Sequence, residues 1–272
     1  MTITFRGSTA VVTGASSGIG AVVAARLAAR GADLLLVARR EDRLAELAQR
    51  LRGEHGVRAT VVAADLGTHD GVTTVVEAAR ATGSPVGTLV NNAGFGTYGD
   101  LVTEDPDRLG TEIDLNVRAL TTLTRVLLPD LLAHGSGAVV NVASTAAFQP
   151  VPRMAVYGAT KAYVLSLTEA LSVELRGTGV HAITLCPGAT RTEFFDVVGT
   201  EDAAVGRFET PEQVADTLFR ALDRRRPPAT VVSGRANAAA AALAGMLPRR
   251  IVLAVSARLT SGRPRGAVSV SP

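Results

Sequence analysis

The chain has 272 residues, of which 47% are hydrophobic and 19% charged, and its formal net charge is +3. This composition excludes a disordered chain, and so small a positive excess without a dense basic block argues against a nucleic-acid-binding protein. A single cysteine excludes an intrachain disulfide, and no run of about 20 apolar residues predicts a membrane span. We therefore expect a soluble, cytoplasmic protein.

Short aliphatic runs alternate with longer amphipathic segments along most of the chain. The runs predict strands at 8–13, 33–39, 58–64, 87–93, 137–144, 180–188 and 229–234. The segments between them predict helices at 18–31, 41–53, 69–82, 107–132, 155–176 and 210–225. Strands that are apolar on both faces indicate a parallel sheet covered by helices on each side. The alternation predicts the α/β class, with a doubly wound seven-stranded parallel sheet of the Rossmann type.

Residues 1–234 are predicted to form one domain, because no internal repeat or polar linker interrupts the alternation. Residues 235–272 are predicted to form a C-terminal appendage of one or two helices and a tail that is disordered from Gly262. Paired arginines beside apolar residues favour a helix that packs over the substrate mouth or against a partner subunit. A helix lying on a membrane surface is the alternative.

A glycine-rich loop, TGASSGIG, follows the first predicted strand and opens the first helix. Glycine permits positive φ and close approach of a ligand, and the free N–H groups at a helix start favour a phosphate. The loop therefore predicts a dinucleotide site, with an ordinary strand–helix turn as the alternative. The expected contacts are Gly14, Ser16, Ser17, Gly18, Ile19 and Gly20.

The residues at the end of the second predicted strand indicate which dinucleotide binds. An acidic residue there would bind the ribose of NAD, but the sequence has Ala38, then Arg39 and Arg40, with Arg43 one turn later. Guanidinium groups can hold a 2′-phosphate through paired hydrogen bonds, so this pattern favours NADP(H) over NAD. The alternative is a solvated arginine pair. Asp65, after the third strand, could accept a hydrogen bond from adenine or cap the next helix.

The motif YGATK places Tyr157 and Lys161 on one face of a predicted helix, and Lys161 is the only lysine among 28 basic residues. An ammonium about 4 Å from the phenol oxygen would attract a phenolate by roughly 4 kcal/mol and lower the tyrosine pKa towards about 7. Burial opposes this shift, so the figure is an upper bound. A compact ammonium can approach the phenol more closely than a guanidinium, although Tyr–Lys pairs at this spacing are common on helices.

Three further polar features fall at the same predicted sheet edge. Ser144 ends the fifth strand, and the segment NNAG ends the fourth. Asn116 lies within the long predicted helix, where asparagine is a poor helix former and needs another reason to be present.

In order and spacing, these motifs together with CPGATRT resemble the short-chain dehydrogenase/reductase family over about residues 8–233. The resemblance implies a Rossmann fold and hydride transfer between NAD(P) and a carbonyl or alcohol. It implies Tyr157 as general acid/base and Ser144 as the residue that orients the substrate oxygen. Lys161 would lower the tyrosine pKa and hold the nicotinamide ribose, and Asn116 would anchor a water that relays protons. The implied cofactor contacts also include Asp65, Leu66, Asn92, Ala93, Gly94, Tyr157, Lys161, Pro187, Thr190 and Thr192.

The sequence thus predicts an NADP(H)-dependent oxidoreductase acting on a small carbonyl or alcohol. An NAD-dependent dehydrogenase of the same fold and a non-catalytic nucleotide-binding sensor are the alternatives; degenerate sensors usually lose Tyr157 or Lys161. The resemblance also implies a homodimer or homotetramer, and neither nucleic acid nor membrane association is expected.

The four histidines lack metal-ligand spacing, so no metal is predicted. Cys186 is predicted to be a small buried hydrophobe, and residues 193–209 a lid. An apolar substrate pocket, or else ordinary core, is predicted for Phe95, Phe148, Met154, Phe194 and Phe195.

Overall fold

The fold is taken from a computed structural model that describes residues 3–260. Within them, parallel strands form one sheet in the order β3-β2-β1-β4-β5-β6-β7. The order reverses between β1 and β4, so a crevice opens there at the carboxyl edge. The prediction of a doubly wound seven-stranded sheet is confirmed. The strands are β1 (Thr9–Thr13), β2 (Asp33–Ala38), β3 (Ala59–Ala63), β4 (Val86–Asn91), β5 (Gly137–Val142), β6 (Val180–Cys186) and β7 (Thr230–Val232).

Helices cover both faces of the sheet because the strand residues alternate between two cores. In β1, Ala10 and Val12 face a core shared with α1, α2 and α8, whereas Val11 faces a core shared with α3, α5 and α6. The helices before β6 are α1 (Gly18–Ala29), α2 (Glu41–His55), α3 (His69–Ala81), α4 (Pro106–Ile113), α5 (Leu120–His134) and α6 (Ala155–Glu174). Those that follow are α7 (Phe194–Val198), α8 (Pro211–Leu222), α9 (Arg235–Met246) and α10 (Arg249–Thr260).

The helix predicted at 107–132 is the main difference between prediction and structure. It is divided into α4 and α5 by a π-helical segment, Asp114–Ala119, which contains Asn116. A π-helical turn carries an extra residue and is frequent at functional sites. Here the widened turn directs the Asn116 amide into hydrogen bonds with the loop after β4. A sequence pattern with a period of 3.6 cannot reveal such a local change.

The two helices after β7 extend the domain beside the cleft. The α9 helix packs against the turn at 145–148, and Tyr98 donates a hydrogen bond to the Thr260 carbonyl at the end of α10. In α10 the buried positions are Val252, Ser256 and Thr260, whereas larger apolar side chains of this helix are exposed. Within the described part of the chain, none of the helices combines the length and apolarity needed to cross a membrane. The tail predicted from Gly262 lies outside the described residues.

Candidate active site

A cleft of about 790 Å³ opens at the carboxyl edge of the sheet, where β1 and β4 diverge. Most residues that the sequence assigned to the site line this single cleft, and Gly20 and Asn116 lie behind its surface. The predicted residues in the lining are Gly14, Ser16, Ser17, Gly18, Ile19, Arg39, Arg40, Asp65, Leu66, Asn92, Ala93, Gly94, Ser144, Tyr157, Lys161, Pro187, Thr190 and Thr192.

The glycine loop forms one wall of the cleft. Gly14 and Gly18 have φ of 65° and 54°, which disfavour any residue with a side chain. A Cβ on Gly20 would collide with the Gly14 carbonyl oxygen, so only glycine lets α1 start this close to the turn. Ser17 caps α1 without a side-chain hydrogen bond, and the first turn carries no acidic residue. The start of α1 therefore fits an anionic group such as the pyrophosphate of a dinucleotide.

Thr13, which the sequence analysis did not single out, connects the ends of two strands at the base of the crevice. Its hydroxyl accepts hydrogen bonds from the N–H groups of Asn92 (2.9 Å) and Ala93 (3.0 Å), and the Asn92 side chain donates to the Thr13 carbonyl (2.9 Å). These bonds tie the end of β4 to the end of β1. A threonine just before the glycine loop was the available sequence signal, but its partner strand was unknown.

An ion-pair cluster lies at the arginine end of the cleft. Arg40 donates from Nη2 to the hydroxyls of Ser16 (3.0 Å) and Ser17 (3.1 Å) and to Oε2 of Glu193 (2.7 Å). Arg43 binds the other carboxylate oxygen of Glu193. The hydrogen bond from Arg40, helped by Arg43, lowers the pKa of Glu193 to about 2. Arg40 and Arg43 thus hold a carboxylate of the protein that the sequence did not connect with them, and their binding of a 2′-phosphate stays a prediction.

Asp65 is not the cap of the helix that follows it. It accepts a hydrogen bond from the N–H of Gly67 (2.9 Å), and the cap of α3 is Thr68. The capping alternative for Asp65 is therefore wrong, and Asp65, like Arg39, lines the cleft.

Tyr157 and Lys161 of α6 meet Ser144 where β5 ends. Tyr157 is 8% exposed and Lys161 5% exposed. The Lys161 ammonium donates to the Val142 carbonyl (2.9 Å) and lies 5.7 Å from the centroid of the Tyr157 ring. The Oγ of Ser144 accepts a hydrogen bond from the N–H of Ala146 (3.1 Å), and its hydroxyl lies close enough to Tyr157 to lower the pKa of the phenol. The structure thus brings the three predicted groups together.

The electrostatics of this group differ from the sequence-based expectation. Burial raises the pKa of Tyr157 to about 12, and the Ser144 hydroxyl only partly opposes the rise. Burial also lowers the pKa of Lys161 to about 8. The expected fall of the tyrosine pKa towards 7 is wrong for the protein alone, because loss of water raises the pKa more than the neighbouring Ser144 hydroxyl lowers it. The ammonium is directed at a backbone carbonyl instead.

Asn116 joins the π-helical segment to the loop after β4. Its Nδ2 donates to the Phe95 carbonyl (2.8 Å) and to the Thr160 hydroxyl (3.1 Å), and its Oδ1 accepts from the Phe95 N–H (3.2 Å). Both ends of the amide are engaged with protein atoms, so Asn116 fixes this loop against α6. Its role in anchoring a water stays a prediction.

Glu112, one turn before Asn116, is a second residue that sequence reasoning missed. The side chain is fully buried, and neither carboxylate oxygen meets a hydrogen-bond donor at ordinary geometry among the described residues. Burial raises the pKa of Glu112 to about 7, opposed by nearby Thr97 and by the charge of Lys161. Nothing in the sequence distinguishes this acid from the exposed acids of the same helix.

A row of aromatic rings begins at Tyr157 in the cleft. Phe194 packs against Tyr157 with ring centroids 5.4 Å apart, and Phe195 and Phe208 continue the row at 5.3 Å intervals. Phe148 instead packs against a core cluster, so its assignment to the pocket is wrong. Four of the five predicted pocket residues line the cleft, namely Phe95, Met154, Phe194 and Phe195.

Cys186 and the remaining polar candidates add no reactive group. Cys186 is fully buried, and burial raises its pKa to about 12, as expected of a small hydrophobe in the core. Within residues 3–260, no group of three or more His, Cys, Asp or Glu side chains could hold a metal ion.

Comparison with known proteins agrees with this site. The family model described as short chain dehydrogenase matches residues 8–203. A short chain dehydrogenase of Pseudocercospora fijiensis is 39% identical over 202 residues, which cover 74% of this chain and 64% of that protein. Sulfoacetaldehyde reductase 2 of Chromohalobacter salexigens is 38% identical, with 77% of this chain and 86% of the relative covered. The chain therefore belongs to the short-chain dehydrogenase family and is an oxidoreductase.

Solved structures extend the likeness to the C-terminal helices. A short-chain dehydrogenase from Sphingobium yanoikuyae in complex with NADPH has 34% identity and a TM-score of 0.78, covering 97% of this chain and 99% of that one. A short chain dehydrogenase/reductase from Burkholderia phymatum in complex with NAD has 29% identity and a TM-score of 0.78, covering 88% and 93%. Both nicotinamide cofactors thus occur among similar structures.

Proposed function

We propose that this protein is an NADP(H)-dependent reductase of a small carbonyl compound, or the reverse alcohol dehydrogenase, with Tyr157 as general acid/base. The observation that carries the proposal is that buried Tyr157 and Lys161 and half-buried Ser144 line the same cleft as Arg40. The nicotinamide cofactor supplies or accepts the hydride when bound. The residues that would hold it are those of the glycine loop, the ends of β2 to β4, and the loop after β6.

The protein's own groups handle the proton and the charge on the substrate oxygen. The Ser144 hydroxyl donates to that oxygen and favours the state in which it carries negative charge. Tyr157, whose pKa is about 12, is protonated at neutral pH and gives its hydroxyl proton to the same oxygen. Lys161 is charged below about pH 8 and, as a buried cation beside the ring, stabilises the phenolate that remains.

Preference for NADP(H) is supported by the charges around the adenosine end. The end of β2 carries no carboxylate at Ala38, and Arg40 and Arg43 converge there with two serine hydroxyls. Such a set of donors suits a phosphate. The second candidate is an NAD-dependent enzyme of the same fold. It is favoured by Glu193, which neutralises part of the arginine charge.

A carbonyl with an apolar substituent is the substrate class that the cleft suits. The lining on the substrate side is formed by Phe95, Met154, Phe194 and Phe195, which exclude water and offer few hydrogen bonds. No observation favours the sensor alternative, and the presence of Ser144, Tyr157 and Lys161 in one cleft supports the enzyme.

We also place a second copy of the chain on the outer face of α4 and α6, which gives the predicted homodimer or homotetramer. An apolar groove there is lined by Ile113, Val117, Ala155, Val156, Ala159, Thr160 and Tyr163, of which Ile113 and Tyr163 are 45% and 40% exposed. Ala159→Arg would insert a charge into the groove, so light scattering of that variant is expected to give a smaller assembly. An unchanged mass would argue against this interface.

The test of function is a panel of aldehydes and ketones followed by NADPH and NADH absorbance. Tyr157→Phe is expected to lower turnover at least about 100-fold, as loss of a general acid does, while NADPH binding measured by calorimetry is retained. Ser166→Ala, which also removes one hydroxyl from the same helix but at an exposed position, is the matched control and should keep wild-type turnover. If Tyr157→Phe loses binding and turnover together, the role assigned to the phenol is wrong.

A further inference from the structure

One carboxylate closes the arginine end of the cofactor cleft. Glu193 follows the loop after β6 and caps α7, whereas Arg40 and Arg43 belong to the segment after β2 on the opposite wall. Oε2 accepts from Arg40 at 2.7 Å, and Oε1 accepts from Arg43. A side chain from one wall is therefore bound by cations of the other, and the contact spans the cleft that a dinucleotide would enter.

The groups around this carboxylate are those that recognise a phosphate. Arg40 also donates to the hydroxyls of Ser16 (3.0 Å) and Ser17 (3.1 Å), so both serines lie beside the ion pair. Two guanidinium groups thus bind one anion, and two hydroxyls of the glycine loop lie next to one of these guanidinium groups. The loop after β6 is packed tightly here, since a Cβ on Gly18 would lie 2.8 Å from Cγ2 of Thr192. The Glu193 carboxylate is therefore held where the loop after β6 meets the glycine loop.

We propose that the Glu193 carboxylate is an internal competitor for the 2′-phosphate of NADP(H), which must displace it from Arg40 and Arg43. This inference rests on the proposed function. A phosphate monoester carries about −1.5 to −2 charges at neutral pH against one for the carboxylate, so it binds the two arginines more strongly. The ion pairs are partly exposed, with Glu193 at 38% and the arginines at 41% and 46%, and pairs of this kind contribute little enough to be displaced.

Competition of this kind sets the cofactor preference. A dinucleotide without the 2′-phosphate leaves the pairs to Glu193 intact and gains nothing from the two arginines. One with the phosphate gains their charge but must first break the contacts to Glu193. Glu193 therefore narrows the difference in affinity between the two nicotinamide cofactors, and its removal should widen that difference.

The test uses two probes that differ only in the 2′-phosphate, adenosine 2′,5′-bisphosphate and 5′-AMP, titrated calorimetrically into the full chain. Glu193→Gln is expected to bind the bisphosphate about threefold to tenfold more tightly than wild type, the effect of releasing two exposed ion pairs. Binding of 5′-AMP should stay within about twofold. Glu201→Gln is the matched control, because it removes the same charge from an exposed position of the same segment, and it should behave as wild type.

The outcomes separate this inference from the proposed function. Equal or weaker bisphosphate binding by Glu193→Gln, with wild type still preferring the bisphosphate to 5′-AMP, overturns the role of Glu193 and leaves the NADP(H) assignment standing. If neither wild type nor Glu193→Gln prefers the bisphosphate, both the assignment and this inference fail. An equal gain in Glu201→Gln would assign the effect to net charge and would also overturn the inference.

Discussion

The Lys161 ammonium is bonded to the Val142 carbonyl at the end of β5, 2.9 Å away, and not to the phenol of Tyr157. This bond anchors the only lysine of the chain at the sheet edge, where the same side chain lies 5.7 Å from the centroid of the tyrosine ring. The lysine thus has two neighbours, a carbonyl that fixes its position and a ring that experiences its charge. Because both groups are buried, the state of each depends on the other more than it would in water.

The activity should therefore depend on the protonation of Lys161. Its pKa is about 8, so the buried cation is present below that pH and lost above it. We expect kcat/KM for carbonyl reduction to fall as the pH rises through about 8. Lys161→Arg keeps the charge at higher pH, although the larger guanidinium should lower activity at every pH. In that variant the fall should move above about pH 9, as initial rates will show.

Cofactor binding at each pH is the control for this profile. If calorimetry gives the same cofactor affinity from pH 6 to 9, the fall belongs to the chemical step. If kcat/KM of Lys161→Arg still falls near pH 8, the group that titrates is not Lys161.

Glu112 should make the stability of the fold depend on pH. Its folded pKa of about 7 lies above its ordinary value of 4.5, so its favourable contribution is complete below about pH 4.5 and is lost as the pH rises through 7. The charged groups that act on it are Lys161, which opposes the shift, and Glu104, which adds to it. Between pH 5 and 8, wild type should lose up to roughly 3 kcal/mol of unfolding free energy relative to Glu112→Gln.

Urea denaturation of both proteins at several pH values measures this difference. Glu46→Gln, an exposed change on α2, is the control and should show a difference from wild type that does not vary with pH. A constant difference for Glu112→Gln as well would mean that the buried carboxyl keeps an ordinary pKa.

Gly96 should be required for the position of the Tyr157 ring. A Cβ at this residue would lie 2.8 Å from Cδ2 of Tyr157 and 3.2 Å from Cζ of Phe194. Gly96→Ala should therefore displace the phenol and lower kcat by about tenfold or more, since small misplacements of reacting groups are costly. Gly110→Ala is the matched control, because a Cβ there meets nothing within 4 Å. It should keep full activity and, within α4, stabilise the fold by up to about 1 kcal/mol.

Steady-state kinetics and thermal melts of the two alanine variants decide this point. A wild-type kcat in Gly96→Ala would show that the Tyr157 ring can move without loss of activity.

Asn116 should contribute to the stability of the fold mainly through the N–H groups of its side-chain amide. Asn116→Asp has the same shape but cannot donate to the Phe95 carbonyl, and it places a charge at a position that is 1% exposed. We expect a loss of about 2–4 kcal/mol in unfolding free energy. Asp114→Asn, two residues away, removes an exposed pair with Arg118 and should cost less than about 1 kcal/mol. Equal losses in the two variants would contradict the role given to the amide.

Much of the architecture could be read from the chain because it rests on local patterns. Apolar runs separated by amphipathic segments, glycines at turns and the Thr210–Pro211 start of α8 each express a preference of a few neighbouring residues. The order of the motifs then led to the family and to the edge of the sheet where Ser144, Tyr157 and Lys161 meet. Even so, the helix predicted at 107–132 hid the π-helical segment around Asn116, whose extra residue depends on a contact with Phe95.

The sequence by itself determined the parallel sheet, the glycine loop and the identity of the groups in the cleft, because periodicity and motif spacing are properties of the chain. Only the tertiary structure decided that Glu193 meets Arg40 across 153 positions, that Glu112 is buried beside Lys161, and that Tyr157 keeps a high pKa. The physical reason is that hydrogen bonds, ion pairs and loss of water depend on distances and burial. These are established only when remote segments pack together.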